Sequence, residues 1–198
     1  MASDFRSARF WAAALLQPAL GPGARAVDAT MGNGGDTLWL CRSVGPQGHV
    51  YAFDIQPEAV SRTRTALQAA GLMDRATLFC EGHQHMARCV PESVDAVMFN
   101  LGWLPGAPHG VTTRVDTTLR AVDAALTLLK PGGVTTVCVY PGHDEGAREL
   151  AALTQWAGAL DSRRFDALIE RYVNQPNDPP VLIAVRRRPT SFDSVRIT

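Results

Sequence analysis

Two periodicities alternate along this chain, and no other feature narrows the fold as much. Short β-branched or aromatic runs bounded by Gly, Pro or Asp occupy residues 26–29, 49–55, 76–80, 94–100 and 134–140. Apolar residues recur at helical spacing over 36–44, 57–70, 85–89, 116–129 and 145–160. Strands alternating with helices predict an α/β fold, with a mostly parallel sheet and helices on both faces. Strands covered on both faces should be apolar throughout, and Val94-Asp95-Ala96-Val97-Met98-Phe99 and Val134-Thr135-Thr136-Val137-Cys138-Val139 nearly are. The punctuation agrees: Pro57 suits a first helical turn, Gly71 a C-terminal cap, and Lys130-Pro131-Gly132-Gly133 a stop before the fifth strand. After Leu160 the rhythm changes, because residues 165–172 and 181–185 follow each other without a helix between them. They are expected to pair antiparallel, which gives seven strands with an antiparallel C-terminal hairpin.

The chain has 198 residues, 46% hydrophobic and 19% charged, which suits a buried core and argues against disorder. One domain over residues 1–198 is expected, with 1–25 as a helical amino-terminal extension and 189–198 as a frayed tail. The formal net charge is zero, so a nucleic-acid partner would have to meet a local basic patch. Arg62, Arg64, Arg163, Arg164, Arg171 and Arg186-Arg187-Arg188 are the candidates, although a charge run is more often a solvated face. The four cysteines, Cys41, Cys80, Cys89 and Cys138, form no CxxC pair and three sit in apolar runs that read as core, so no metal site is expected. The run Phe10-Trp11-Ala12-Ala13-Ala14-Leu15-Leu16, preceded by Asp4, Arg6 and Arg9, reads as an amphipathic helix too short to span a bilayer. Gln17-Pro18 ends it and no cleavage site follows, so a cytoplasmic location without membrane contact is expected.

The first strand runs into Asp28-Ala29-Thr30-Met31-Gly32-Asn33-Gly34-Gly35-Asp36, with Thr37 in the helix that follows. Open α/β sheets bind ligands at the C-terminal ends of their strands, and glycines let a ligand approach the main chain there. Alone, this is equally a simple β-to-α turn. It lacks the GxGxxG spacing of dinucleotide sites and the GK[ST] ending of a phosphate loop. About twenty residues on, the second strand ends in Asp54-Ile55-Gln56, and a carboxylate so placed can accept from both hydroxyls of a ribose. Its plainer role is to cap the next helix. Loop and acid together point to a nucleoside-containing cofactor. The third strand ends at Cys80-Glu81-Gly82-His83-Gln84, where Gly82, His83 and Gln84 could meet an adenine edge, or His83 could serve as a cap or a surface residue.

The fourth strand ends in Asn100-Leu101-Gly102-Trp103-Leu104-Pro105-Gly106. Asn100 and nearby carbonyls could orient an acceptor nitrogen, and Trp103 could stack on a base; turn bonding and edge packing are the alternatives. Tyr140, Pro141, Gly142 and His143 close the fifth strand in the same region, and Asn174-Gln175-Pro176-Asn177-Asp178-Pro179-Pro180 precedes the last strand.

These motifs together resemble a family of bacterial class I methyltransferases first described as rRNA methylases and now regarded as tRNA 5-(aminomethyl)-2-thiouridine methyltransferases. The resemblance runs from about Val27 to Val185 and rests on Asp28 to Gly34 with Asp36-Thr37, on Val50 to Gln56, and on Asn100-Leu101-Gly102 with Leu104-Pro105-Gly106. Val139-Tyr140, Gly142-His143, Glu145-Gly146 and the 174–180 segment complete it. It implies a Rossmann-like class I fold and the cofactor S-adenosylmethionine, bound by Asn33, Asp36, Asp54 and Gln56 with His83 near the adenine; Asp28, Met31, Gly32, Gly34, Thr37, Ile55, Gly82, Asn100, Leu101 and Gly102 are expected to complete its site. It further implies methylation of the aminomethyl nitrogen of a wobble uridine (position 34) in tRNA, with the anticodon stem-loop as partner; a monomer this small has limited area for that stem-loop, so a homodimer sharing it is expected. Trp103, Leu104, Pro105, Asn174, Asn177 and Asp178 would then face the substrate. The chain departs from the family at Ala107-Pro108-His109-Gly110-Val111, where a second polar residue is usual, which bears on acceptor recognition.

An aminomethyl group is mostly protonated at neutral pH, so transfer needs a base or a desolvating pocket. Asn100 is expected to orient the amine while solvent or His143 removes the proton; Tyr140 and His109 are further candidates. Competing readings are a class I methyltransferase acting on rRNA or a small molecule, and a non-catalytic cofactor- or RNA-binding module. The acceptor motif at 100–105 argues against the last.

Overall fold

Consecutive apolar residues in a strand send side chains to both faces of a sheet, so the runs found in the sequence need a layer of helices on each side. The computed structural model, which describes residues 7–102 and 113–189, has that arrangement. The strands are β1 (Arg25–Asp28), β2 (His49–Asp54), β3 (Ala76–Cys80), β4 (Val94–Asn100), β5 (Leu129–Val139), β6 (Phe165–Glu170) and β7 (Val181–Arg187). The helices are α1 (Ala8–Leu16), α2 (Gly35–Ser43), α3 (Pro57–Ala69), the short α4 (Met86–Cys89), α5 (Val115–Leu128) and α6 (Asp144–Gly158). The sheet order is β3-β2-β1-β4-β5-β7-β6. Strands β1 to β5 pair in parallel, and β7 runs antiparallel to both β5 and β6.

Alternate residues of each strand serve different cores. Val97 and Phe99 of β4 pack with Phe53, Val137 and Val139 against Ala121, Val122 and Ala125 of α5 and Leu153 of α6. Ala96 and Met98 face the other way and join Leu40 and Cys41 of α2 and Leu67 of α3. Cys41 and Cys138 are buried, Cys89 is half-buried and Cys80 is exposed.

Helix α1 belongs to that second core. Ser7 caps it by accepting from the Phe10 N–H at 3.3 Å. Its residues Ala8, Ala12 and Leu16, one turn apart, are buried with Cys138 of β5 and Leu182 of β7. The stretch that reads in sequence as an extension is thus bound into the sheet.

Most boundaries shift by a residue or two from expectation, and three of the differences bear on the layout. β5 starts at Leu129, before the Pro-Gly-Gly turn: Leu129 pairs with Val94, the register slips, and Val134 resumes beside Ala96. Gly132 at φ +85° lets the intervening segment leave the ladder as a bulge, and Lys130 Nζ ties it to Asp95 at 2.8 Å. β6 ends at Glu170 rather than 172, and a 3-10 turn over His83–His85 precedes α4. Among the described residues no helix is long and apolar enough to cross a membrane.

Candidate functional site

β1 lies between β2 and β4, and the chain proceeds from it in opposite directions along the sheet. Such a switch point leaves a crevice beyond the strand ends. A cavity of about 610 Å³ opens there, within the roughly 300–1,000 Å³ usual for small-molecule sites.

The loop after β1 forms one wall. Asp28 is buried behind it, accepting from Thr37 Oγ1 at 2.6 Å and from the Thr30 N–H at 3.1 Å. Burial, and secondarily the negative charge of Asp36, pushes its carboxyl from the ordinary 3.8 up to about 7. Gly34, at φ +83°, is the N-cap of α2, and a Cβ there would lie 3.0 Å from Thr63 Oγ1. A side chain at this position would meet both backbone strain and α3. Thr63 in turn donates to the Gly32 carbonyl at 3.1 Å, and Arg62 donates to Asn33 Oδ1 at 3.0 Å. Met31, Gly32, Asn33 and Asp36 line the cavity; Asp28, Gly34 and Thr37 support it from behind.

Asp54 closes the loop onto β2. One oxygen accepts from the Gly32 N–H at 3.1 Å and the other from the Gln56 N–H at 3.0 Å. Burial raises its proton affinity, and these N–H groups oppose the rise. Asp54, Ile55 and Gln56 all reach the cavity, as do Glu81, Gly82, His83 and Gln84 from the end of β3. The His83 ring is buried against Phe99, with centroids 5.7 Å apart, and its Nδ1 lies 3.3 Å from the Ala29 carbonyl. Burial brings its pKa down to about 4, so it is neutral at physiological pH and Nδ1–H donates to that carbonyl.

The opposite wall is made of side chains from distant segments. Asn100, at the end of β4, gives its backbone N–H to Thr30 Oγ1 at 2.7 Å, which stitches β4 to β1. Its amide Nδ2 donates to Asp36 Oδ2 at 3.3 Å, and its Oδ1 accepts from the Tyr140 hydroxyl at 2.7 Å. The other Asp36 oxygen pairs with Arg9 of α1. Burial raises the Tyr140 pKa, so the phenol stays protonated and donates. Leu101, Gly102, Thr113, Arg114 and Thr117 complete this wall. Thr113 Oγ1 accepts from the Gly102 N–H at 3.2 Å and donates to Glu149 of α6 at 2.8 Å; Thr118 donates to the same buried carboxylate at 2.6 Å.

Several residues expected at the acceptor side lie elsewhere. His143 is the N-cap of α6, its Nδ1 accepting from the Gly146 N–H at 3.1 Å, and it does not line the cavity. Asn174, Asn177 and Asp178 are exposed and do not line it either. Asn177 and Asp178 take φ of 63° and 45°, a region these two residue types tolerate better than most. Trp103, Leu104, Pro105 and His109 lie outside the described residues. The cavity also contains groups that the sequence motifs did not mark, namely Arg9, Arg114 and Thr117, and Glu149 stands behind it. Arg9 read only as a charge at the start of an amphipathic helix, and Glu149 as one polar residue among others in the 145–160 pattern.

Comparison with known proteins places these features in context. The model of a family described as "Putative rRNA methylase" matches residues 50–186. A chloroplastic tRNA (mnm(5)s(2)U34)-methyltransferase from Arabidopsis thaliana is 38% identical over 175 residues, which is 83% of this chain. The chain spans 64% of that relative's length. Among solved structures, a putative rRNA methylase from Clostridium thermocellum superposes with a TM-score of 0.91 at 36% identity, covering 93% of this chain and 100% of the other. A putative methyltransferase from Streptococcus mutans, solved in complex with S-adenosylhomocysteine (SAH), does so with 0.84 at 33% identity, covering 92% and 99%.

Proposed function

This chain belongs to the putative rRNA methylase family, and we propose that it is an S-adenosylmethionine-dependent methyltransferase of the class I fold acting on RNA. Specifically, its acceptor is the 5-aminomethyl nitrogen of a modified wobble uridine in tRNA. The observation that carries the reading is the wall in which Asp54 holds both the Gly32 and the Gln56 N–H groups at the edge of the cavity. The name of the 38% identical relative supports the choice of acceptor.

The residues present suit an adenosyl group. Asp54 offers carboxylate oxygens to a ribose diol. Gly82, neutral His83 and Gln84 line the cavity beyond the end of β3 and would face a base, and Met31 to Asn33 with Asp36 offer amides and a carboxylate to an amino-acid moiety. When bound, S-adenosylmethionine supplies the methyl group. Asn100 and Tyr140 then present a fixed amide and hydroxyl on the opposite wall, where the amine must be held in line with the carbon it attacks. The amine first sheds a proton, favoured by desolvation in the cavity, and water takes it. Transfer would form the N–C bond as the cofactor's S–C bond breaks, with SAH as the by-product. His143, bonded through Nδ1 to its own helix, has no part in this scheme.

The RNA would lie across Arg114, which lines the cavity, and Arg62, which donates to Asn33 at its edge; elsewhere Arg163 pairs with Asp161 and Arg188 with Asp166, and Arg187 donates to the Leu129 carbonyl. In the homodimer we propose, the edge strand β6, with Leu168 and Ile169 exposed, would meet the second copy. The protein would act in the cytoplasm. Mass analysis of tRNA nucleosides from cells with and without the protein tests the proposal. Accumulation of the unmethylated aminomethyl form in its absence is expected; an unchanged nucleoside profile overturns the choice of acceptor.

A further inference from the structure

Arg9 sits on α1, far in sequence from the motifs that mark the cavity, yet its guanidinium lines the cavity and pairs with Asp36. The Asp36 side chain is only 13% exposed, and the oxygen not paired with Arg9 accepts from Asn100 Nδ2. A carboxamide has a donor end and an acceptor end, and its neighbours decide which way each points. Asp36 as a carboxylate can take only the donor end. The acceptor end, Oδ1, therefore turns to the Tyr140 hydroxyl and the cavity. Without the Arg9 cation, Asp36 would bring an uncompensated charge into a half-enclosed site that already holds the carboxyl of Asp28 close by. The guanidinium is held in place by a helix whose Ala8, Ala12 and Leu16 are buried in the core.

We propose that Arg9 is a positioning residue: by holding and neutralising Asp36 it fixes the orientation of the Asn100 amide, which makes α1 part of the site. The inference rests on the cavity being the site of methyl transfer, and it predicts that Arg9 acts through Asp36 and not independently. Proteins R9Q, R9K, D36N and R9Q/D36N should be compared for methyl transfer to aminomethyl-bearing tRNA at saturating cofactor. The calorimetric Kd for SAH, the urea midpoint and the NMR resonance of the Asn100 side-chain amide, assigned by its loss in N100D, should be measured on the same proteins. R9Q is expected to lower kcat about tenfold, with the Kd for SAH, which the Asp36 carboxylate also serves, changing several-fold less than kcat and the Asn100 resonance displaced. R9K should recover part of the loss, and R9Q should change neither kcat nor the resonance further in the D36N background.

The inference is overturned if R9Q keeps the wild-type kcat and resonance, or if the R9Q and D36N losses multiply. It is also overturned if kcat, SAH affinity and the urea midpoint fall in step, as loss of a merely structural tie would make them. A wild-type protein inactive on every RNA offered would sink the functional reading, and the Asn100 resonance would then decide the Arg9–Asp36–Asn100 coupling by itself.

Discussion

The two walls of the cavity are built by different means. On the β1–β2 side, carboxylates hold backbone amides over short spans: Asp28 takes the N–H two residues on, and Asp54 does the same with Gln56 while reaching back to Gly32. On the β4–β5 side, side chain meets side chain across long separations, 27 residues from Arg9 to Asp36, 64 from Asp36 to Asn100 and 40 from Asn100 to Tyr140. The first wall is therefore made of two neighbouring strand-turn-helix units, with main-chain amides held by strand-end acids and Asp54 reaching 22 residues back to join them. The second exists only once the whole sheet has assembled. This predicts that the first wall stores its energy in buried charge, whereas the second depends on shared partners.

The sharpest way to break that distinction is a pH series on Asp28. Its carboxyl shifts from 3.8 when unfolded to about 7 in the folded protein. The folded state thus holds a proton that the unfolded chain has released, so the stability this group contributes is complete below about pH 4 and is lost as pH rises through about 7. At 1.36 kcal/mol per unit the loss approaches about 4 kcal/mol. Urea unfolding of wild type and Asp28→Asn between pH 4 and 8 should show wild type losing stability relative to the variant by that order up to about pH 7 and levelling above it. A constant difference would mean that Asp28 is ionised in the folded state and that this wall stores no such strain.

Asp54 gives the next largest effect, on cofactor binding. Each hydrogen bond to an ionised group is worth about 1.5–3 kcal/mol. Asp54→Ala should therefore weaken binding of S-adenosylmethionine about a hundredfold, with Asp54→Asn between the two, as read by calorimetry. Equal affinity in all three would move the ribose away from β2.

These two acids were readable in sequence because each ends an apolar strand and holds the amide two residues on; the reach of Asp54 back to Gly32 was not. It took the glycine loop and the acid together to separate a ligand site from a helix cap, and β2 and β4 announced themselves because burial on both faces leaves no polar alternation. Arg9 and Glu149 were not readable. Each occupies a helix whose apolar stripe explains the rest of its pattern, and each finds its partners 27 to 36 residues away. The 130–133 turn misled for a related reason: Pro-Gly-Gly does interrupt the ladder, but β4 recovers Leu129 on the far side of the bulge. Polarity at Asn177 and Asp178 read as substrate contact, and the backbone adds a demand of its own for these residue types in their positive φ.

Glu149 tests the second wall. Its buried carboxylate, whose pKa burial raises, holds Thr113 and Thr118 together and thereby the Gly102 turn. Glu149→Ala should cost about 2 kcal/mol of stability by leaving buried hydroxyls unpaired. It should also raise the KM for RNA while sparing the Kd for cofactor. Glu149→Gln, which keeps an acceptor oxygen, should lose less. If cofactor affinity fell as much as RNA affinity, the two walls would be one cooperative unit and the contrast between them would fail.

The smallest effect concerns His143, where a cap and a general base make opposite predictions. As the N-cap of α6 its Nδ1 accepts from Gly146, so His143→Ala should cost about 1 kcal/mol. His143→Asn, with an oxygen able to take the same N–H, should restore most of that. A cap acts on folding alone, so below the unfolding temperature the pH profile of turnover should be the same in all three proteins. A base would make both replacements equally slow and would remove the acidic limb of the profile, whatever the helix stability. Loss of that limb in His143→Asn, with its urea midpoint restored, would return His143 to the chemistry and require the end of β5 to move toward the cavity on RNA binding.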